Sequence, residues 1–262
     1  MPYTTSQGLR IHYEVRGEGP PLVLQHGFAS DLEAWRQHGY AAALSQEYQL
    51  IQIDARGHGQ SDKPHDPTAY GRDLMARDVV AVLDDLGIAR AHYWGYSMGG
   101  SIALFLARDG LLSRFRSLVI GGVSPYPRLD PASRELFARV GQMLEGGPEH
   151  LIAARERESG PLPAAEKARL RAYDTEALRA AHQVVIPWGT PGFIADEILP
   201  LITVPCLAYA GEADPLYAGA RRSAQSIPGA TFFCLPGLDH SQSFARSNLV
   251  LPPVQGFLAQ VS

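Results

Sequence analysis

A serine between small residues, at the junction of a predicted strand and a predicted helix, constrains this chain more than any other feature. The stretch Gly95-Tyr96-Ser97-Met98-Gly99-Gly100 follows the apolar segment 91–94 and precedes the apolar helical segment 102–107. Such a turn forces strained backbone angles on the serine, and the glycines let strand and helix pack closely around it. We therefore predict that Ser97 is a catalytic nucleophile. The alternative is a glycine-rich turn that holds a serine by chance.

Strand-like and helical segments alternate on both sides of this turn. The segments predicted as strands are 3–6, 9–15, 22–25, 48–54, 91–94, 115–120, 205–210 and 230–235. Apolar periodicity predicts helices over 35–44, 70–86, 98–109, 218–226 and 249–259. This alternation predicts an α/β fold with a mostly parallel sheet and helices on both faces. Ligands of such sheets bind at the carboxyl ends of the strands.

The middle of the chain interrupts the alternation. Residues 126–196 carry no convincing strand pattern, and breaks such as Gly146-Gly147-Pro148 and Gly160-Pro161 separate short helical segments. This pattern predicts a helical cap over one end of the sheet, or else a helical ornament that only adds core. We divide the chain into an α/β core, residues 1–124 and 197–262, and a cap insertion, residues 125–196.

The composition and charge of the chain limit the classes of protein to which it can belong. The chain has 262 residues and a net charge of -4 without long runs of one sign, which argues against a nucleic-acid partner. Residues 1–6 show no signal-peptide pattern, and no segment has the ~20 apolar residues of a membrane helix. Cys206 and Cys234 are expected to be buried free thiols in a reducing compartment, which predicts a cytoplasmic protein. Metal-binding spacings are absent from the sequence, so we expect no metal.

A serine hydroxyl is a weak nucleophile that needs a base within hydrogen-bond reach and an acid to orient that base. After Ser97 the chain supplies Asp214 and then His240, each just past a predicted strand and each preceded by a glycine. Enzymes whose nucleophile lies on such a strand-to-helix turn carry their triad residues in the chain order Ser, Asp, His. We therefore predict a triad of Ser97, His240 as the base and Asp214 as the orienting acid.

Other histidines and aspartates compete for these roles. His26 and His58 follow strands at the same sheet edge and are expected to shape their loops, whereas His92 is expected in the core. Asp239 neighbours His240, but adjacent loop residues seldom point at each other. Asp54 is expected to tie down the loop 56–62.

An oxyanion that develops during attack needs preorganised donors. The backbone N–H of Met98, directly after the serine, and that of Phe28, after His26 and Gly27, are the candidates. The side chain of Phe28 is alternatively a packing residue. Apolar side chains of the insertion that are candidates for the substrate pocket, or alternatively simple core, are Tyr126, Phe137, Trp188 and Phe193.

Five stretches taken together resemble the signature of the α/β-hydrolase-fold enzymes, in the expected order and across nearly the whole chain. They are His26-Gly27-Phe28, Asp54-Ala55-Arg56-Gly57-His58-Gly59-Gln60-Ser61, Gly95-Tyr96-Ser97-Met98-Gly99-Gly100, Gly211-Glu212-Ala213-Asp214-Pro215 and Asp239-His240. The resemblance implies an eight-stranded, mostly parallel sheet with a helical cap after the sixth strand. It also implies that no cofactor is needed.

The nucleophile discriminates between branches of this family. Epoxide hydrolases and haloalkane dehalogenases carry an aspartate where this chain has Ser97. With a serine at this position, the chain resembles esterases, lactonases, carbon–carbon bond hydrolases and cofactor-free haloperoxidases or perhydrolases. We expect hydrolysis of a small-molecule carboxylic ester or lactone, with no nucleic-acid or membrane partner. The alternatives are carbon–carbon cleavage, haloperoxidase or perhydrolase chemistry, and a non-enzymatic ligand sensor.

Overall fold

The eight predicted strands form one sheet, which confirms the predicted fold class. The computed structural model describes residues 2–126, 131–185 and 194–261, apart from the side chains of residues 158, 159 and 185. The strands are β1 (Tyr3–Ser6), β2 (Leu9–Arg16), β3 (Pro21–Gln25), β4 (Gln49–Ile53), β5 (Ala91–Tyr96), β6 (Phe115–Gly121), β7 (Cys206–Gly211) and β8 (Thr231–Leu235). Their order is β1-β2-β4-β3-β5-β6-β7-β8. The β1–β2 and β2–β4 pairs are antiparallel and all other neighbours are parallel.

Helices connect the strands and cover both faces of the sheet. They are α1 (Glu33–Gln37), α2 (Tyr40–Leu44), α3 (Arg72–Asp85), α4 (Met98–Arg108), α5 (Pro131–Glu145), α6 (Gly147–Ser159), α7 (Ala164–Arg171), α8 (Thr175–Val185), α9 (Ala195–Ile198), α10 (Tyr217–Ser226), α11 (His240–Ala245) and α12 (Ser247–Val261). Short 3₁₀ helices occupy Pro67–Tyr70, Leu111–Arg114 and Leu199–Leu201. Within the described ranges, none of the helices combines the length and the apolar character that crossing a membrane requires.

The core lies on both faces of the sheet, because successive side chains of a strand point to opposite faces. On β5, Tyr93 packs in the cluster that includes α3 and α4, whereas Trp94 packs in the cluster that includes α2 and α12. Both rings are fully buried. Burial of one large apolar side chain contributes about 1.5–3 kcal/mol. The central strand is therefore held from both sides, and the turn that follows it starts from a fixed point.

Helices α5 to α8 lie between β6 and β7, where the sequence predicts the insertion. Their apolar side chains form a third cluster, which includes Leu144, Leu151, Leu170 and Leu178. Ala29, from the loop after β3, belongs to the same cluster. The described part of this segment contains no strand. The helices therefore pack onto a loop of the sheet edge, while the boundaries of the cap, 125–196, stay an interpretation of the sequence.

One helix prediction needs correction and another is confirmed. The helix predicted over 35–44 is two helices, because Gly39 adopts a φ of 82° between α1 and α2, a conformation that glycine takes without steric cost. The terminal helix agrees with its prediction to within two residues at each end, since α12 runs from Ser247 to Val261 and contains Pro252 and Pro253. Its buried face, formed by Val250, Val254 and Leu258, keeps α12 packed across the prolines.

Two further expectations differ from the structure. His240 was expected in a loop, but it is the first residue of α11, a short helix that the apolar pattern does not predict. Cys206 is a buried free thiol as expected, whereas Cys234 is also free but only half-buried. Cys234 lies on β8, an edge strand whose side chains are covered on fewer sides.

Candidate active site

The turn after β5 places Ser97 in a strained conformation between strand and helix. Ser97 has φ 53° and ψ -112°, a backbone region that non-glycine residues rarely adopt. Such strain costs on the order of 1–3 kcal/mol and persists only where the surroundings enforce it. Here the Ser97 N–H donates to the Gly121 carbonyl at 2.8 Å, and the Ser101 N–H donates to the Ser97 carbonyl at 2.9 Å. The turn is thus fixed on both sides of the serine.

Glycines are required where backbone segments meet around this turn. A Cβ on Gly95 would lie 2.3 Å from the carbonyl carbon of Gly99, and a Cβ on Gly99 would lie 2.2 Å from the carbonyl oxygen of Gln25. Both separations are far below van der Waals contact, so strand, turn and helix fit together only without side chains there. A Cβ on Gly27 would lie 3.4 Å from the Cβ of Ser97, which places the loop after β3 directly beside the serine.

The side chains of Ser97, His240 and Asp214 form a continuous hydrogen-bonded chain. His240 Nε2 lies 2.9 Å from Ser97 Oγ, and His240 Nδ1 lies 2.7 Å from Asp214 Oδ2. A carboxylate can only accept, so Nδ1 carries the proton and Nε2 is the nitrogen that faces the serine hydroxyl. The three residues follow three different strands, and His240 lies 143 positions after Ser97 but only 26 after Asp214 in the chain. The structure therefore brings together the predicted triad residues.

Additional hydrogen bonds hold the base and the acid in place. The Tyr96 hydroxyl donates to the His240 carbonyl at 2.5 Å, and the Leu216 N–H donates to Asp214 Oδ1 at 2.8 Å. Asp239, the competing acid, instead caps α11. Its carboxylate accepts from the Gln242 N–H, and the Gln242 side chain accepts from the Asp239 N–H. This reciprocal cap fixes the start of the helix that carries His240.

The surroundings favour the charged form of His240. Burial alone lowers the pKa of an imidazole, but the charge of Asp214 and its hydrogen bond outweigh that effect, so the pKa of His240 lies above its ordinary value. The His240 side chain is 20% exposed and the Asp214 side chain is fully buried. An imidazolium that forms at His240 is consequently stabilised by a carboxylate that water does not screen.

The competing histidines bond to backbone groups. His26 Nε2 accepts from the Ala55 N–H at 3.0 Å, and His58 Nε2 accepts from the Ala29 N–H at 3.2 Å. Burial, reinforced by the charge of His26, lowers the pKa of His58 to about 3, so His58 stays neutral. His92 is buried on β5 beside Ser117, as a core residue would be. These three rings support loops and core.

Asp54 organises the loops on both sides of the candidate site. Its carboxylate accepts from the Leu32 N–H at 2.8 Å and from the Gln60 N–H at 2.9 Å, and it contacts His12 Nδ1 at 2.8 Å. The Gln60 contact agrees with the expectation that Asp54 ties down the loop 56–62. The Leu32 contact extends the same support to the loop after β3.

The candidate oxyanion donors flank Ser97. Met98 is the first residue of α4, where backbone N–H groups lack partners within the helix. Phe28 follows Gly27, and its ring lies between His58, at 5.4 Å between centroids, and His182 of α8, at 5.9 Å. Both the packing role of the Phe28 ring and a donor role of its N–H are therefore compatible with this geometry.

Comparison with known proteins identifies the family of the chain. A family model described as "alpha/beta hydrolase fold" matches residues 20–173. The chain belongs to the alpha/beta hydrolase family. The matched residues include β3 and the loop after it, the turn at Ser97 and α4, whereas Asp214 and His240 lie beyond them.

Several individual relatives and solved structures are similar to this hydrolase over most of its length. It is 30% identical, over 96% of its length and 97% of the relative's, to "Putative carbamate hydrolase RutD" of Variovorax paradoxus. It is 29% identical to 3-oxoadipate enol-lactonase 2 of Acinetobacter baylyi, over 74% of its own chain and 59% of the relative's. The solved enol-lactonase of Burkholderia xenovorans LB400 has a TM-score of 0.80 and 25% identity, with 98% and 100% of the two chains covered.

Of the four predicted substrate-pocket residues, the structure describes Tyr126 and Phe137. The Tyr126 hydroxyl donates to Asp196 at 2.8 Å and the Arg222 guanidinium lies 4.0 Å from its ring centroid, so its polar contacts are with α9 and α10. Phe137 is half-buried on α5, where its carbonyl oxygen contacts His182 Nε2 at 3.0 Å. Trp188 and Phe193 lie outside the described residues. The pocket role of all four stays a prediction.

Some residues at the site were not singled out from the sequence. Tyr96 lies inside the nucleophile motif, but the role of its hydroxyl depends on where His240 sits in space. His182 and Arg155 come from the helices of the insertion and reach the loop after β3 at Phe28 and Ala29. Their sequence neighbourhood carries no signal for this contact. Among the described residues, no group of three or more His, Cys, Asp or Glu side chains is arranged to hold a metal ion.

Proposed function

We propose that this hydrolase cleaves a carboxylic ester or a lactone through an acyl-enzyme, as a serine esterase does. The observation that carries the proposal is the hydrogen-bonded chain from Ser97 through His240 to Asp214, with distances of 2.9 and 2.7 Å. This chain couples a weak nucleophile to a base and the base to a buried acid, which is the arrangement that activates a serine.

In the proposed first half-reaction, Ser97 Oγ attacks the acyl carbon of the substrate while His240 Nε2 accepts the hydroxyl proton. Asp214 accepts the Nδ1–H throughout and stabilises the imidazolium without taking its proton. His240 then donates its Nε2 proton to the leaving alkoxide, which departs as an alcohol. When the substrate is a lactone, the alcohol remains attached to the acyl group as its far end.

In the proposed second half-reaction, His240 removes a proton from a water molecule that attacks the acyl-enzyme. Collapse of this second tetrahedral intermediate breaks the bond to Ser97 Oγ, which regains a proton from His240, and releases the carboxylic acid. In both steps the charge that develops on the carbonyl oxygen is assigned to the backbone N–H groups of Met98 and Phe28. Loss of one such donor typically costs about 10²–10³ in rate.

The names of the relatives support this choice of substrate class. Two are enol-lactonases, one of them a solved structure that covers the entire fold. We further propose a cytoplasmic protein that acts on a small molecule, without nucleic-acid or membrane partners, because the net charge is a modest -4 and both cysteines are free thiols.

A carbamate is the second candidate substrate, favoured by the 30% identity to a relative that carries that activity in its name. The same triad serves it, because a carbamate presents a carbonyl carbon to Ser97 and has a leaving group that His240 protonates. Donation of the nitrogen lone pair into the carbonyl group makes a carbamate less electrophilic than an ester, so the two substrates are separated by their relative kcat/KM values.

A substrate panel with a nucleophile variant tests the proposal. The panel combines 4-nitrophenyl esters of graded acyl length, lactones of graded ring size and a 4-nitrophenyl carbamate. We expect turnover of at least one ester or lactone, and a kcat lowered by on the order of 10⁶ in Ser97→Ala because the triad acts as a unit. Near-native turnover by Ser97→Ala would contradict the proposed serine mechanism.

A further inference from the structure

Arg155 projects from α6 onto the loop that lies beside the nucleophile. Its Nη2 donates to the Ala29 carbonyl at 3.3 Å, and its side chain is half-buried. Ala29 is the residue after Phe28 and has a φ of 51°, so the backbone at this contact is tightly turned. A cation of the insertion is thereby held at the candidate oxyanion loop.

The position of Arg155 relative to the triad follows from its contact with the loop after β3. The positive charge of Arg155 opposes protonation of His240, although Asp214 dominates the pKa of that imidazole. The contact with Ala29 places Arg155 two residues along the chain from Gly27, where a Cβ would lie 3.4 Å from the Cβ of Ser97. Two residues span at most about 7 Å of chain, so the backbone that Arg155 contacts lies near the triad serine.

Within the described part of the chain, three other cations of the insertion have anionic partners that Arg155 lacks. Lys167 pairs with Glu156 at 2.6 Å, Arg169 with Asp31 at 2.5 Å and Arg171 with Glu149 at 2.6 Å. Among the described side chains, no carboxylate forms an ion pair with Arg155. A half-buried cation normally acquires such a partner, because burial removes its solvation without compensation.

We propose that Arg155 binds a carboxylate carried by the substrate, so that this hydrolase selects anionic esters or lactones. This inference rests on the proposed ester or lactone hydrolysis. Of the five N–H donors of a guanidinium, Arg155 uses one for Ala29, and its planar fork leaves a pair for bidentate contact with a carboxylate. The backbone contact fixes the side chain, so less rotamer freedom is lost when the anion binds.

A matched pair of substrates separates charge recognition from general catalysis. The probes are 4-nitrophenyl hydrogen glutarate, which carries a free carboxylate, and 4-nitrophenyl methyl glutarate, its neutral counterpart. Arg155→Gln is expected to lower kcat/KM for the anionic ester by about tenfold to a hundredfold, mainly through KM, since a charge-assisted hydrogen bond is lost. The neutral ester should change by less than about threefold. Arg155→Lys should keep part of the preference because it keeps the charge.

Arg157→Gln, on the same helix, is the matched control, because it removes the same charge from an exposed side chain. It should change neither ester. Equal losses for both esters in Arg155→Gln would assign Arg155 to loop positioning or oxyanion stabilisation and overturn the proposal. A wild-type enzyme that does not prefer the anionic ester would overturn it as well.

Binding of glutarate itself provides a readout that does not need turnover. Calorimetric titration should show a Kd for glutarate raised at least tenfold in Arg155→Gln and unchanged in Arg157→Gln. If the wild type hydrolyses neither ester, the proposed function fails, while glutarate binding still tests Arg155. Equal glutarate affinity in the wild type and in correctly folded Arg155→Gln would contradict the assignment.

Discussion

At the residue scale, the environments of three side chains decide their proposed roles. Asp214 is buried and accepts from a backbone N–H and from His240, so it stays in one orientation. His240 is partly exposed and faces Ser97 with the nitrogen that lacks a proton. Ser97 is half-buried on a strained turn. Each position therefore suits the step that the mechanism assigns to it.

The pH dependence of catalysis should report the pKa of His240. The base must be neutral, so kcat/KM is expected to fall as the pH drops through that pKa. Asp214 raises this pKa above the ordinary histidine value of about 6.5, so the midpoint should lie above about pH 6.5. Initial rates on a neutral ester, measured from about pH 5 to 9, check this, and a flat profile would count against His240 as the base.

Removal of the buried carboxylate gives a second prediction at this scale. Asp214→Asn should lower kcat by on the order of 10⁴, because an amide can hold the imidazole in the wrong tautomer. The midpoint of the residual pH profile should also move to lower pH, since the charge that stabilises the imidazolium is gone. Steady-state rates of the purified variant measure both effects. An unchanged kcat would exclude Asp214 as the orienting acid.

At the element scale, the start of α4 is defined by backbone contacts. The helix begins directly after Ser97 and packs against β3, β5 and β6 with glycines at the contacts. The sequence predicts this junction because the glycines lie at fixed positions around the serine. Other element boundaries were less visible: Asp239 and Gln242 form a capping box whose spacing is present in the sequence, yet α11 is too short to produce apolar periodicity.

A pair of glycine substitutions tests how tight the α4 contact is. Gly99→Ala places a Cβ 2.2 Å from the Gln25 carbonyl oxygen, so the free energy of unfolding should fall by about 1–3 kcal/mol as the backbone shifts. Gly256→Ala, inside α12, meets no atom within 4 Å and should raise the free energy of unfolding by about 0.5–1 kcal/mol. Urea unfolding of both variants measures this. Equal effects would show that the contact imposes no constraint.

At the scale of the whole molecule, the helices of the insertion hold the loop that borders the nucleophile. Asp31, in the loop after β3, is buried and accepts from Arg169 at 2.5 Å and from the Tyr173 hydroxyl at 2.9 Å. The hydrophobic cluster around Ala29 lies beside these bonds. The insertion and the sheet edge therefore share one packed interface, and any shift of α7 reaches the candidate oxyanion loop.

Substitutions of two arginines on α7 distinguish the contribution of this buried interface to stability from that of an exposed ion pair. Arg169→Gln leaves the buried Asp31 carboxylate without its cation and should lower the free energy of unfolding by about 1–3 kcal/mol. Arg171→Gln breaks a pair of similar length with Glu149, but both side chains are more than half exposed, so the loss should stay below about 0.5 kcal/mol. Chemical denaturation of the two variants checks the contrast, and similar losses would argue against the interface.

The sequence predicts most of this architecture but not the contacts of the insertion. Eight apolar segments, the turn at Ser97 and the order of Asp214 and His240 are local patterns, and the strands fall within a few residues of their predicted positions. The environment of Arg155 is not predicted from the sequence, because it depends on how α6 packs on the loop after β3. A single sequence contains no record of that packing, and the balanced composition of the insertion does not reveal that Arg155 lacks an ion-pair partner among the described side chains.

Covalent labelling tests the central claim, that Ser97 is an activated nucleophile, most directly. The folded wild type is treated with a fluorophosphonate, and the site of the adduct is located by peptide mass mapping. We predict one adduct, on the peptide that contains Ser97, with no adduct in Ser97→Ala and much slower labelling in His240→Ala. An adduct at another residue, or a folded wild-type protein that resists the reagent, would contradict it.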